Sequence, residues 1–110
     1  MADDTRCTPG EFEEMTRRGD EICLLDVRTE QELGIVCIEG CTHIPLDQLP
    51  WRIGELESWR NGLIVVMCHH GTRSEMAQGF LRANGFSRVL NLTGGIDAYA
   101  TEVDPSLVRY

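Results

Sequence analysis

The chain has 110 residues, of which 42% are hydrophobic and 25% are charged, so it is long enough to fold as one domain around its own core. Its net charge of −8 argues against nucleic acid or an anionic membrane as a partner, because phosphate groups are bound by basic surfaces. No apolar run approaches the roughly 20 residues that cross a bilayer, and the polar, acidic start does not resemble a signal peptide. We therefore expect a single domain over residues 1–110 that resides in the cytoplasm.

The first half of the chain predicts one helix and two strands. Thr8, followed three residues later by Glu11, has the spacing of a capping box and predicts that a helix begins there. The next apolar run, EICLLDV, shows no alternation, which is typical of a strand that is covered on both faces. A further short strand around Thr42–Ile44 is expected to end at Pro45.

The second half alternates between helical and strand patterns. LDQLPWRIGELESW places apolar residues at helical spacing and predicts a helix in which Trp59 is buried and Trp51 is partly exposed. NGLIVVM and SRVLNL predict strands, and SEMAQGFLRANGF and GGIDAYATEV predict helices. This alternation indicates an α/β domain whose mostly parallel sheet has helices on both faces. In such sheets ligands bind beyond the carboxyl ends of the strands, where Cys68 lies.

The segment CHHGTRS joins the strongest predicted strand to the helix that follows it. Gly71 permits a tight turn, the start of a helix directs unpaired backbone N–H groups into the loop, and Arg73 adds a positive charge. A thiol in this setting should ionise more readily than a free cysteine, whose pKa is about 8.5. We therefore predict that Cys68 is a nucleophilic thiolate at neutral pH, although a lone cysteine after a strand is often only a small buried residue.

The length of this loop bears on the anion that it binds. Only His69, His70, Gly71 and Thr72 separate Cys68 from an arginine, whereas cysteine-based phosphatases use a similar loop that is one residue longer. A shorter loop makes a tighter cradle, which suits a single added sulfur atom better than a tetrahedral phosphate. No aspartate is evident as the acid for an alcohol leaving group, and the loop therefore favours sulfur chemistry.

Four segments in order, LLDVRTEQEL, GCTHIPL, CHHGTRS and LTGGIDAY, resemble the motifs of the rhodanese-like single-domain sulfurtransferases over nearly the whole chain. The resemblance implies a five-stranded, mostly parallel sheet and a Cys68 persulfide as the sulfur carrier, without a metal or another cofactor. It also implies that backbone N–H groups from His69 to Arg73 hold the persulfide, that Arg73 attracts an anionic donor such as thiosulfate, and that Ser74 begins the helix.

The closing segment EVDPSLVRY resembles the tail of the rhodanese-like domain in E1-like adenylyltransferases of molybdopterin synthesis. The partners implied by the family are a small anionic sulfur donor or a persulfidated protein, together with a sulfur-carrier or desulfurase protein. Two alternatives remain at this point. In the first, the chain is a sulfur-relay module that docks to other proteins and turns over small donors poorly. In the second, it is a cysteine-based phosphatase or arsenate reductase.

The other polar residues of these motifs are interpreted as structural support. Asp26 and Arg28 are expected to bond loop backbone at the edge of the sheet, and His43 is expected to be a hydrogen-bonded turn residue. His69 and His70 either tune the charge of the thiolate and its donor or point into solvent while only their backbone acts.

Five cysteines without a secretion signal do not predict a disulfide framework. Cys37 and Cys41 form a C-x3-C-x-H pattern with a nearby histidine, but no second pair of ligands follows, so we predict no metal site. Either of these two thiols is a candidate resolving cysteine for Cys68. Cys7 is expected at the surface and Cys23 in the core.

Overall fold

A computed structural model describes residues 5–110, which form one sheet of five parallel strands with helices on both faces. The α/β fold class and the five-stranded sheet are therefore confirmed. None of the helices in this part of the chain has the length and apolar character that a membrane crossing requires. The strands are β1 (Arg6–Cys7), β2 (Ile22–Asp26), β3 (Thr42–His43), β4 (Leu63–Met67) and β5 (Arg88–Leu92), and they lie in the order β1–β5–β4–β2–β3. The helices are α1 (Pro9–Arg17), α2 (Glu30–Ile35), α3 (Leu49–Arg52), α4 (Thr72–Ala83) and α5 (Gly95–Glu102).

Strand β4 is the centre of the sheet and is buried along its whole length. Ile64 and Val66 belong to a core that α3 and α4 cover, whereas Val65 and Met67 belong to a second core that α1 and α5 cover. Because both faces are covered, every position of the strand is apolar and the sequence shows no alternation. Full burial of each such side chain contributes about 2 kcal/mol to folding.

Capping boxes start two of the helices. In α1 the Glu11 N–H donates to Thr8 Oγ1 at 3.1 Å and the Thr8 N–H donates to Glu11 Oε1 at 2.8 Å, as the sequence predicted. The short helix α2, which was not predicted, begins with the same arrangement between Thr29 and Glu32. The second box fixes the Glu32 side chain at the start of α2, close to the candidate site.

The helix predicted for residues 46–59 is wrong as one continuous element. Two 3₁₀ segments, Leu46–Gln48 and Ile53–Trp59, flank the short α3. Pro50 lacks the N–H that an α-helix continuing from residue 46 needs, and the apolar positions at 53, 56 and 59 repeat every three residues, the period of a 3₁₀ helix. Trp59 is only half-buried, and Trp51 is 71% exposed rather than partly exposed.

Strand β1 forms the edge of the sheet beside β5 and was missed from the sequence. The expectation that Cys7 lies at the surface is wrong, because Cys7 is buried in β1 and belongs to the same core as α1. The Asn91 N–H donates to Thr5 O and the Thr93 N–H donates to Cys7 O, both at 2.9 Å. A strand of two residues is too short to show a periodicity of its own.

Candidate active site

Cys68 follows the central strand β4 at its carboxyl end and lies at the base of the loop that leads into α4. Its side chain is 2% exposed, and its Sγ accepts the Gly71 N–H at 3.1 Å and the Ser74 N–H at 3.4 Å. Gly71 has a φ of +113°, a left-handed conformation that a residue with a β-carbon rarely adopts. The turn at Gly71 therefore directs the backbone donors of the loop at the sulfur.

Two opposing effects act on the pKa of Cys68. Burial raises the pKa, but hydrogen bonds from Ser74 and from the backbone N–H groups of Gly71 and His70 outweigh burial. The pKa of Cys68 therefore lies below that of an ordinary cysteine. The unpaired N–H groups and the dipole at the start of α4 act in the same direction, so the site favours the thiolate.

A buried amide behind the loop competes for the Ser74 hydroxyl proton. Ser74 Oγ lies 3.4 Å from Cys68 Sγ and donates to Asn91 Oδ1 at 2.6 Å, while Asn91 Nδ2 donates to Gly71 O at 3.1 Å. The hydroxyl has one proton, and the shorter bond to Asn91 holds it more strongly. We therefore attribute most of the stabilisation of the thiolate to the backbone N–H groups. Asn91 was missed, although a lone amide inside an apolar strand is the signal that marks it.

The first turn of α5 fixes the loop from behind. The Ile96 N–H donates to Cys68 O at 2.9 Å, and the Asp97 N–H donates to His69 O at 3.2 Å. A β-carbon at Gly95 would collide with Cys68 O and lie 2.5 Å from His69 O. The glycine pair of the GGI motif is thus explained by the close approach of two backbones.

Arg73, which the family resemblance implies would attract an anionic donor, is already paired with a carboxylate. Its Nη1 lies 2.6 Å from Glu32 Oε1 and its Nη2 lies 2.9 Å from Glu32 Oε2, a bidentate contact. The hydrogen bonds from Arg73 hold the pKa of Glu32 well below its ordinary value of 4.5. Glu32 was not identified as a site residue, and the only sequence signal for it is the capping-box spacing from Thr29.

The two histidines of the loop differ in their surroundings. The His69 ring stacks on Tyr110, with ring centroids 3.9 Å apart and an interplanar angle of 5°. Its Nε2 atom is buried and has no hydrogen-bond partner within residues 5–110. His70 is exposed, and its Nε2 lies 3.8 Å from Asp97 Oδ2. Of the two, only His70 therefore extends into solvent.

Asp26 and Arg28 form a completely buried pair below the loop. Arg28 Nη2 lies 2.7 Å from Asp26 Oδ2, and the guanidinium also donates to Val36 O at 2.8 Å and to the Tyr110 hydroxyl at 2.9 Å. His43 Nε2 lies 2.7 Å from Arg28 O. The pair and the histidine tie β2, β3 and the α2 region together, and their role in supporting the site stays a prediction.

Potential metal ligands come together at one place in the part of the chain that the structure describes. His69, His70 and Asp97 have ligand atoms within 4.8 Å of one another. Arg109 already binds both oxygens of Asp97, at 2.9 and 3.2 Å, so that the carboxylate charge is balanced. The C-x3-C-x-H pattern does not form such a group, and its histidine bonds a backbone carbonyl.

All five cysteines are free thiols. Cys23 is buried in the core as expected, Cys37 is exposed and Cys41 is half-buried. No hydrogen bond joins Cys37 or Cys41 to Cys68 within residues 5–110, and the resolving role of either thiol stays a prediction.

Comparison with known proteins places these features in a family. The profile of the rhodanese-like domain matches residues 8–102. The chain is 31% identical over 121 residues to the adenylyltransferase and sulfurtransferase MOCS3 of Arabidopsis thaliana, covering 97% of this chain but only 26% of that protein. It is 36% identical over 81 residues to a sulfurtransferase of Allochromatium vinosum, covering 74% of each. The crystal structure of a rhodanese-related protein from Thermoplasma volcanium matches with a TM-score of 0.82 and 28% identity, covering 96% of this chain and 99% of that one.

Proposed function

The chain belongs to the rhodanese-like domain family of sulfurtransferases and sulfur carriers, and on this premise we propose that it transfers sulfane sulfur through a persulfide on Cys68. The observation that supports this proposal most strongly is the position of Cys68 Sγ, which accepts two backbone N–H groups at the base of a short loop. Homology to the MOCS3 protein agrees with the resemblance of the tail and favours a role in sulfur relay.

In the first step the Cys68 thiolate attacks the outer sulfur of the donor. A bond forms between Cys68 Sγ and this sulfur, the S–S bond of the donor breaks, and its electron pair leaves with the remainder, which is sulfite when the donor is thiosulfate. The added sulfur carries the negative charge and is held by the loop N–H groups at the start of α4. The sulfur is carried covalently, so the proposal includes no cofactor.

In the second step a thiolate or cyanide acceptor attacks the outer sulfur of the persulfide. The bond between that sulfur and Cys68 breaks, and the Cys68 thiolate is regenerated. The contacts that lower the pKa of Cys68 stabilise this leaving thiolate, because a thiol of lower pKa leaves faster. The same N–H groups therefore assist both halves of the cycle.

Phosphate chemistry is less favoured at this loop. The loop between Cys68 and Arg73 is short, and the guanidinium that would bind a phosphate dianion already holds Glu32. A phosphate next to the paired carboxylate would meet a like charge.

A sulfur-relay module with little turnover of small donors is the second candidate. The net charge of −8 favours it, because opposite charge on a partner steers the docking of two proteins. This candidate predicts efficient loading of Cys68 from a persulfidated cysteine desulfurase, and loss of that loading at high salt. Loading that does not change with salt would count against charge-steered docking.

Steady-state turnover tests the enzymatic proposal. Thiocyanate formation is followed with cyanide as the acceptor and with thiosulfate or methanethiosulfonate as the donor, for the wild type and Cys68→Ser. The proposal expects turnover by the wild type with at least one donor and a loss of at least about 1,000-fold in Cys68→Ser, since the nucleophile is removed. Activity retained by the folded variant would overturn the role of Cys68.

A further inference from the structure

Glu32 is held in place beside the candidate site by donors from three directions. Oε1 accepts Arg73 Nη1 at 2.6 Å and the Thr29 N–H at 3.2 Å, and Oε2 accepts Arg73 Nη2 at 2.9 Å and the Tyr110 hydroxyl at 2.8 Å. The Glu32 side chain is 17% exposed. It is therefore a fixed negative charge at the rim of the loop and not a mobile surface group.

The pairing leaves Arg73 without a free charge to attract a donor. Both terminal nitrogens of its guanidinium contact the carboxylate of Glu32. Two further arginines near this site are also paired with carboxylates, Arg28 with Asp26 and Arg109 with Asp97. The backbone N–H groups of the loop and the start of α4 therefore become the main groups that bind an anion.

Backbone donors of this kind suit one negative charge, which is the charge of a persulfide or of a thiosulfonate. Thiosulfate carries a second negative charge, and a donor at the loop would bring that charge towards the Glu32 carboxylate. Because Glu32 already neutralises Arg73, this second charge gains no attraction from the guanidinium and approaches a carboxylate, so loading by the dianion is disfavoured relative to a singly charged donor.

We propose that Glu32 is a specificity-determining residue, which makes the site select singly charged sulfane-sulfur donors over the thiosulfate dianion. This inference rests on the proposed function of Cys68. It assigns to the site a class of donors, thiosulfonates and thiol persulfides, in place of the thiosulfate that the presence of Arg73 suggested.

Tyr110 positions Glu32 for this role. Its hydroxyl donates to Glu32 Oε2 and accepts from Arg28 Nη1 at 2.9 Å, while its ring stacks on His69. The tail of the chain thus links the buried pair of Arg28 to the rim of the loop. Removal of the hydroxyl alone keeps the stack and loosens the carboxylate.

Two donors that differ by one charge test the proposal. Thiosulfate and methanethiosulfonate both donate an outer sulfur to Cys68, with sulfite and methanesulfinate as the respective leaving groups. The readout is the ratio of kcat/KM for thiosulfate to kcat/KM for methanethiosulfonate, with cyanide as the acceptor. Since each variant serves as its own reference, the ratio is insensitive to a general loss of activity.

In Glu32→Gln the charge of Arg73 is no longer balanced, so Arg73 attracts the thiosulfate dianion. We expect a lower KM for thiosulfate, which raises the ratio about tenfold, and a thiosulfate turnover that is more sensitive to salt. Glu30→Gln is the matched control. Glu30 is exposed on the same turn of α2, and its substitution changes the net charge equally without a contact to Arg73. Its ratio is expected to stay within twofold of the wild type.

Tyr110→Phe provides a second variant if Glu32→Gln fails to fold, and it is expected to raise the ratio about threefold. The role of Glu32 is overturned if the ratio in Glu32→Gln is unchanged or lower while loading by methanethiosulfonate is intact. Where only Tyr110→Phe folds, the same result in that variant overturns it. In both cases the proposed function of Cys68 still stands. An equal rise in Glu30→Gln also overturns it, since net charge would then explain the effect. If the wild type takes sulfur neither from these donors nor from a persulfidated protein, the proposed function fails, and this inference fails with it.

Discussion

Gly95 lies so close to Cys68 that a β-carbon at position 95 would collide with the Cys68 carbonyl oxygen. The first turn of α5 bonds the carbonyl groups of Cys68 and His69, so the backbone of the loop is held between α4 and α5. The position of the sulfur and its hydrogen bonds depend on this contact.

Gly95→Ala should therefore disturb both stability and the loop. Gly95 has a φ of +62°, and the added methyl group would meet backbone atoms that cannot move aside. We expect the free energy of unfolding in urea to fall by about 2 kcal/mol or more, with slower sulfur loading. Gly79→Ala in α4 is the control, since a β-carbon there would have no neighbour within 4 Å beyond the backbone of its own helix. It should be neutral or stabilising by about 0.5–1 kcal/mol, and an equal stability of the two variants would contradict the packing argument.

Ser74→Ala tests which donors stabilise the thiolate. Hydrogen bonds at Cys68 lower its pKa, so loss of the Ser74 hydroxyl should raise that pKa and slow alkylation of Cys68 at pH 7. Because Asn91 holds the hydroxyl proton more closely, we expect only a small rise of this pKa and a less than about tenfold slowing of alkylation. The pH dependence of iodoacetamide labelling, followed on the peptide that contains Cys68, measures it. A larger rise would show that the hydroxyl, not the backbone, is the main donor.

Stability should depend on pH through Glu32. Its pKa is lower in the folded protein than its ordinary value of 4.5, so its ionised form stabilises the fold above that pH and the contribution is lost as the pH falls below it. Glu32→Gln should lower the free energy of unfolding at pH 7 by about 1 kcal/mol, and the difference should shrink between pH 4.5 and pH 2.5. Denaturant unfolding at several pH values measures this. A difference that grows in acid would have the wrong sign for a paired carboxylate.

Arg28→Lys should destabilise the protein strongly. Arg28 is completely buried and binds Asp26 through two nitrogens of its planar guanidinium, Nε and Nη2, a geometry that a lysine ammonium cannot reproduce. We expect a loss of about 3 kcal/mol in the free energy of unfolding. Arg52→Lys is the control, because Arg52 pairs with Glu55 at the surface and its substitution should change stability little. A similar small effect at both positions would show that the buried pair is not a major support of the site.

Local patterns in the sequence were sufficient to predict most of the main elements and the place of Cys68 at the end of a buried strand. The apolar run of β4, the glycine at position 71 and the start of α4 follow each other directly, so the position of Cys68 could be predicted from residues adjacent in the chain. The capping box of α1 was predicted for the same reason.

Contacts between distant residues could not be predicted in this way. Glu32 and Arg73 are 41 residues apart, and they meet only because β2 and β4 are neighbours in the sheet and their following segments lie at the same edge. The stacking of Tyr110 on His69 and the bond from Ser74 to Asn91 depend equally on the tertiary fold. For this reason the sequence did not predict which charged groups surround the loop.

The most direct test of the central claim is the intact mass of the protein after brief incubation with methanethiosulfonate or with a persulfidated cysteine desulfurase. The account predicts that the wild type gains one sulfur atom, that cyanide removes it as thiocyanate, and that folded Cys68→Ser gains none. A gain of sulfur by Cys68→Ser, or no gain by the wild type from either donor, would contradict a Cys68 persulfide as the carrier.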